Sequence, residues 1–221
     1  AKEDRNATKG GVAVFVLAGN GGEGKDLAYA KGLDYVSGTV DYENGDYLQL
    51  SAKEKDVLTN LKRLKDGGVF SGITVLINSA YALQCDFADD PAYGIDSVLW
   101  AGNWGTTGAY AVGDILAGKV NPSGRITDTF WKYNYLNPVL ANFEIANYNE
   151  VISTNEGTGE EDGGTNKYVV YQEGIYNGYR YTETRYEDYV LGRGNAGDFD
   201  YGNTVSYPFG AGMSYTTFAY S

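Results

Sequence analysis

Val12-Ala-Val-Phe-Val-Leu-Ala18 runs straight into Gly19-Asn-Gly-Gly-Glu-Gly24. A short, unbroken apolar run that ends in glycines reads as a strand buried on both faces, the pattern of a parallel sheet. A polar loop of low periodicity follows, through about Leu50. Ser51-Ala-Lys-Glu54 then forms a capping box, in which the Ser hydroxyl and the Glu carboxylate satisfy the first orphan N–H groups of a helix. Val57, Leu58, Leu61 and Leu64 recur on one face of that helix, and Gly67-Gly68 stops it. Ile73–Ile77 and Ile95–Trp100 read as further strands, Thr106–Leu116 as a second helix closed by Gly118. Asn121-Pro-Ser-Gly124 is a tight turn, and Ile126–Phe130 a short strand.

Strands and helices in alternation imply an α/β fold, a three-layer α/β/α sandwich with a mostly parallel sheet and helices on both faces. Residues 1–221 are expected to form one domain. Residues 141–167 lose the pattern and read as a flexible insertion. Within it, Glu156-Gly-Thr-Gly-Glu-Glu-Asp-Gly-Gly164 is acidic but lacks the ligand spacing of a calcium loop, which leaves a solvated loop. From Tyr168 the chain is rich in tyrosine and poor in helix signals, so residues 168–221 are expected to return as extended segments. Tyr176, Tyr179, Arg180 and Tyr181 are assigned to building that return against the sheet.

Composition narrows the chemistry. Seventeen Lys and Arg stand against 29 Asp and Glu, a net charge of −12, which is wrong for neutralising nucleic-acid phosphates or an anionic membrane. The chain has no histidine, which removes His general bases, Ser-His catalysis and most zinc sites. Cys85 stands alone and reads as a packing thiol. No metal or cofactor is expected. No apolar run approaches the roughly 18 to 20 residues of a membrane span, and Ala1–Asn6 has no apolar signal-like region; the compartment stays open. Glycine, at 31 of 221 residues, is about twice its ordinary share of ~7%.

The glycine loop has two readings. Gly19-x-Gly21-x-x-Gly24 matches the dinucleotide fingerprint in letters, but its context fails. Lys25–Ala30 allows little more than a turn before Gly32 where a helix N-terminus would have to face a pyrophosphate, and Glu23 would oppose its charge. The other reading starts from Glu23: a carboxylate just past a strand's carboxyl end lies where open α/β sheets bind ligands.

Four segments resemble the α/β/α domain of family 3 glycoside hydrolases, the β-glucosidase and β-xylosidase family. These are Gly22-Glu-Gly-Lys-Asp26; Val98–Gly102 with Gly113–Arg125; Glu173-Gly-Ile-Tyr-Asn-Gly-Tyr-Arg-Tyr181; and Tyr207-Pro-Phe-Gly-Ala-Gly-Met-Ser-Tyr-Thr-Thr-Phe218. The resemblance implies that Glu23 is the general acid/base, with Asp26 of the same loop as a candidate substrate-binding residue. Trp104 reads as a core or rim residue whose ring would also suit a sugar face, which makes it a further candidate for substrate binding. The chain departs from the family at Leu27, where Arg is usual, and at Asn103-Trp-Gly-Thr106, where Gln-Glu-Gly-Gly is usual. Retaining glycosidases use two carboxylates roughly 5–5.5 Å apart. In this family the nucleophile is an Asp of a Ser-Asp-Trp-like motif on a (β/α)8-type barrel, and neither motif nor barrel is found here. The resemblance thus implies a fragment that lacks the sandwich's first strand and supplies one catalytic group of a retaining exo-acting β-glycosidase. Its partners would be the barrel domain and a β-linked oligosaccharide or glycoside, and by itself it would be inactive. An exposed apolar patch beside Glu23, where the barrel would dock, is also expected. The alternative is a non-catalytic sugar-binding or scaffold module.

Overall fold

The computed structural model describes residues 9–19, 48–141, 146–147, 167–168, 171, 173–194, 196–197, 199–217 and 219. In chain order the elements are β1 (Gly11–Ala18), α1 (Ala52–Asp66), β2 (Phe70–Asn78), β3 (Ser97–Trp100), α2 (Gly105–Leu116) and β4 (Phe130–Trp131). Then follow α3 (Pro138–Ala141), β5 (Ala146–Asn147), β6 (Lys167–Tyr168), α4 (Tyr179–Leu191), α5 (Tyr201–Thr204) and β7 (Val205–Tyr207). They fall into two compact units, Ala1–Lys132 with Val205–Ser221, and Tyr133–Thr204.

The first unit is built on a parallel sheet of order β1-β2-β3, which makes the fold α/β as expected. Parallel register lines Phe15 up with Val75 and Val98, and Leu17 with Ile77 and Trp100. Period-two alternation puts these residues on one face. There Leu17, Val75 and Ile77 form a core with Leu58 of α1, Leu50, Cys85, Phe87 and Phe130. Leu58 is fully buried, which is worth about 1.5–3 kcal/mol of transfer free energy.

The helix α1 begins as its sequence indicates. Ser51 Oγ accepts from Glu54 N–H at 3.3 Å, and Ser51 N–H donates to Glu54 Oε2 at 2.8 Å. It ends where Gly68 turns to φ 75° and Val69 N–H donates back to the Leu64 carbonyl at 2.9 Å, a conformation that a Cβ would strain. Lys65 in its last turn meets both carboxylate oxygens of Asp96 at 2.7 Å, and Asp96 Oδ2 accepts from Ile73 N–H at 2.7 Å. One carboxylate thus joins α1, β2 and the entry to β3, and the Lys65 ammonium and the Ile73 amide hold it below its usual pKa.

Two expectations are corrected in this unit. Val12, Val14 and Val16 are 56%, 44% and 47% exposed, so β1 is not buried on both faces. Among the described residues β1 is an edge strand and nothing covers that face, whereas the central β2 is buried on both. The short strand lies at Phe130–Trp131 rather than Ile126–Phe130. It pairs antiparallel with β7, Phe130 opposite Tyr207, and Phe130 stacks edge-on against Trp100 and Tyr207 at 5.8 and 6.4 Å. Ile126 instead hydrogen-bonds through its backbone to Gly210 and Ala211.

The Asn121 turn is locked to the terminal segment of the same unit. Asn121 Oδ1 accepts from Tyr215 N–H at 2.7 Å and Ser214 Oγ at 2.9 Å, while its Nδ2 donates to Thr216 Oγ1 at 2.9 Å. Tyr215 Oη donates to the Ile115 carbonyl at the end of α2 at 2.9 Å.

In the second unit, β5 and β6 pair antiparallel; residues 148–166, most of the expected insertion, lie outside the described residues. The expectation of extended segments after Tyr168 is corrected at α4, whose 13 residues lie between Gly178 and a left-handed cap at Gly192 (φ 61°). Its apolar periodicity is weak, because exposed tyrosines take the place of an aliphatic stripe; only Thr182 of the helix is fully enclosed. Local contacts hold it instead. Arg185 lies over the rings of Tyr181 and Phe199 at 5.4 and 5.1 Å and donates to the Ala196 carbonyl at 3.1 Å. Arg180 lies over Tyr179 and donates to Asn177 Oδ1 at 3.0 Å.

Candidate active site

The carboxyl ends of β1, β2 and β3 share one edge of the first unit, the edge at which open parallel sheets bind ligands. Cross-strand bonds fix it. Gly19 N–H donates to the Asn78 carbonyl at 3.2 Å, Asn78 Nδ2 to the Gly102 carbonyl at 2.7 Å, and Trp100 Nε1 to the Ser79 carbonyl at 3.0 Å. The fully buried Ser79 hydroxyl donates to the Tyr81 carbonyl at 2.7 Å. Tyr81 is thereby laid across Gly19: a Cβ at position 19 would stand 2.7 Å from Tyr81 Cζ and on top of its hydroxyl.

Residues 20–47, with Glu23 and Asp26, lie outside the described residues, and so does the apolar patch expected beside Glu23. The chain enters that stretch at Gly19 and leaves it at Leu48, and both ends belong to this edge. Gln84 N–H donates to the Leu48 carbonyl at 3.0 Å, and Gln49 Nε2 to Gln84 Oε1 at 3.4 Å. Between Gly19, Leu50, Tyr81, Gln84 and Phe87 lies a cavity of about 30 Å³, room for a water or two and far too small for a sugar ring. A ligand would have to lie outside this cavity.

Trp104 is the one candidate residue that the structure describes. It caps the N-terminus of α2 immediately after β3, half-buried, with its carbonyl accepting from Gly108 N–H at 3.2 Å. Gly108 makes room for it, since a Cβ there would lie 2.6 Å from that of Trp104. Trp104 therefore follows the carboxyl end of the sheet, on the same side as the strand that leads to Glu23. Cys85 is no nucleophile: burial, and then the Asp86 charge, push its thiol up to about 12, so it carries no thiolate near neutrality. Burial likewise pushes Tyr207 up to about 12, aided by Cys85 and Asp89.

The glycosyl hydrolase family 3 C-terminal domain matches residues 1–179. The chain belongs to glycosyl hydrolase family 3. Beta-glucosidase A of Butyrivibrio fibrisolvens is 34% identical over 218 residues, covering 94% of this chain and 21% of that protein. Thermostable beta-glucosidase B of Acetivibrio thermocellus is 31% identical over 153 residues, 69% of this chain and 15% of that protein. The crystal structure of a beta-glucosidase from Paenibacillus barengoltzii aligns with a TM-score of 0.63 at 26% identity, covering 98% of this chain and 18% of that one. The chain thus spans about a fifth or less of each of these relatives.

In this family 3 domain, the strand-end reasoning that singled out Glu23 applies equally to Asn78, Ser79 and Tyr81, which sequence reading passed over. The signal was present: Asn78-Ser79 directly follows the apolar run Ile73–Ile77. Among the described residues no helix is long and apolar enough to cross a membrane.

Proposed function

We propose that the protein containing this chain is a retaining, exo-acting β-glycosidase of the β-glucosidase type, and that Glu23 is its general acid/base. The family match carries this reading, supported by relatives named as beta-glucosidases. Its local support is that β1 ends at Ala18 on the carboxyl edge of the sheet, where open parallel sheets bind ligands, five residues before Glu23. In the first step Glu23 gives its proton to the leaving glycosidic oxygen while an Asp on a (β/α)8-type barrel attacks the anomeric carbon. In the second, the Glu23 carboxylate takes a proton from the water that cleaves the glycosyl intermediate. Asp26 would hydrogen-bond sugar hydroxyls, and Trp104 would offer a ring to a sugar face.

The test uses the whole protein. Glu23→Gln should abolish turnover of glycosides with poor leaving groups, yet spare the glycosylation step for activated aryl glycosides, whose leaving groups need no proton. Azide should partly rescue Glu23→Ala by replacing water as the second nucleophile. Equal loss on both substrate types without rescue would remove Glu23 from the mechanism.

A further inference from the structure

We infer that Tyr186, Tyr189, Phe199 and Tyr201 form an accessory binding site for the apolar face of a neutral pyranose. These residues line, with Asp200 and Gly202, an open pocket of about 390 Å³ in the second unit, within the range of small-molecule sites, roughly 300–1,000 Å³. Tyr186 and Tyr189 lie three residues apart on α4 and so share a face. They are 43% and 53% exposed, so the helix presents their rings instead of burying them.

The pocket wall is held in place before any ligand arrives. Tyr201 Oη donates to Glu183 Oε1 at 2.7 Å, and its ring stacks at 42° on that of Tyr186, 4.5 Å between centroids. Phe199 meets Tyr201 edge-on at 6.3 Å and is itself fixed by the Arg185 guanidinium. Asp200 is oriented at the rim by Asn203, whose N–H and Nδ2 donate to its two carboxylate oxygens at 3.1 and 2.7 Å. Rings fixed in this way lose little entropy on binding.

The lining selects the ligand. Aromatic faces carry partial negative charge and attract the C–H face of a sugar, and the carboxylate and phenol groups suit its hydroxyls. Among the described residues no Lys or Arg lines the pocket, and the net charge is −12, which disfavours phosphorylated or acidic sugars. The choice of a sugar over another polyol rests on the glycosidase reading; the pocket itself does not.

The experiment is titration of the 221-residue chain with cellobiose, followed by amide NMR. Saturable shifts should appear across residues 186–202. Tyr189→Ala should weaken binding about tenfold, a ring's worth of stacking, and Tyr189→Phe by less. Gly202→Leu should block binding by filling the pocket; a Cβ there meets only Asp200 Oδ1, at 3.7 Å, so the fold has room for it. Glu23→Gln should leave these shifts unchanged. Absence of shifts in these residues, or shifts indifferent to both Tyr189→Ala and Gly202→Leu, would overturn the proposal. So would tighter binding of tetramethylammonium than of cellobiose, the mark of a cation cage. Cellobiose binding that answers to Glu23→Gln but not to the pocket variants would sink this site and leave the proposed function standing.

Discussion

The ring of Tyr81 occupies the space where a side chain at Gly19 would begin, 2.7 Å separating its Cζ from the position of a Cβ. A Cβ at position 19 would therefore have to displace the end of the Tyr81 ring, whatever the place of Gly19 in a glycine-rich motif. Gly19→Ala should push Tyr81 away and cost about 1–3 kcal/mol, as overpacking does. Tyr81→Ala should relieve it, so that the double variant is more stable than the two single losses added together. Denaturant melts of the four chains measure this. Strict additivity would show that the two residues do not compete for space.

Much of the first unit was legible because local and global signals agree there. The Ser51–Glu54 box, the Leu58 stripe and the β2 run each name one structure, and all three form, with Val57 alone of the stripe left exposed. The reading failed where tertiary context decides. Nothing in Val12–Ala18 says that β1 is an edge strand, since burial depends on what lies beside it. The helix at Tyr179–Leu191 was hidden for a different reason. Its stability comes from cation–π contacts of Arg180 and Arg185 and from glycines at both ends, and tyrosines at helical spacing look the same as tyrosines in a loop. Of the site, the strand-end rule pointed to the carboxyl edge of the sheet for Glu23, which lies outside the described residues, while the partners of Tyr81 depend on contacts that no local pattern encodes.

Asn121 joins two motifs that lie 93 residues apart in sequence, accepting from Ser214 and Tyr215 and donating to Thr216. Each exposed hydrogen bond contributes about 0.5–1.5 kcal/mol. Asn121→Ala should therefore lower stability by about 1–3 kcal/mol and increase amide exchange at Tyr215. Asn121→Asp keeps the acceptor and loses the donor to Thr216, and should fall between. Unchanged exchange at Tyr215 in Asn121→Ala would mean that the terminal segment is held by other contacts.

Asp96 predicts a pH dependence with a definite sign. Lys65 and the Ile73 amide hold its pKa below the ordinary value, so it binds its proton more weakly folded than unfolded. The resulting stability is complete above the unfolded pKa of roughly 3.9 and is lost as pH falls through the folded value. The Asp96 side chain is 50% exposed, so solvent screens the pair and Asp96→Asn should cost under about 1 kcal/mol. That cost should be constant near neutrality and shrink in acid. Melting curves of wild type and Asp96→Asn across the acid range would show it; a difference that grows with acidity would reverse the assignment.

Cys85 should be chemically silent in the folded chain. Its thiol is 2% exposed and pushed up to about 12 by burial, and alkylation needs the thiolate. Iodoacetamide at neutral pH should label it only as fast as the chain opens, with the rate rising steeply in denaturant. Fast labelling under native conditions would show that the core around Phe87 and Leu50 is open to solvent.

Glu23 leads to the last prediction. Cleaving a glycosidic bond needs a second carboxylate or an activated water opposite the acid, held in the same pocket. The reading proposed above puts that group on the barrel of the larger protein. A carboxyl in water near its reference pKa of roughly 4.3 is ionised at neutral pH and has no proton to give. Closure by the barrel would exclude water and bring the second carboxylate near, and both effects raise the pKa toward the range a general acid needs. Residues 1–221 alone should therefore show no hydrolysis of aryl β-glucosides above the uncatalysed rate, at neutral or mildly acid pH. Adding the barrel in trans should restore turnover with wild-type chain and not with Glu23→Gln. Turnover by the 221 residues alone, abolished by Glu23→Gln, would show that the nucleophile lies within this chain.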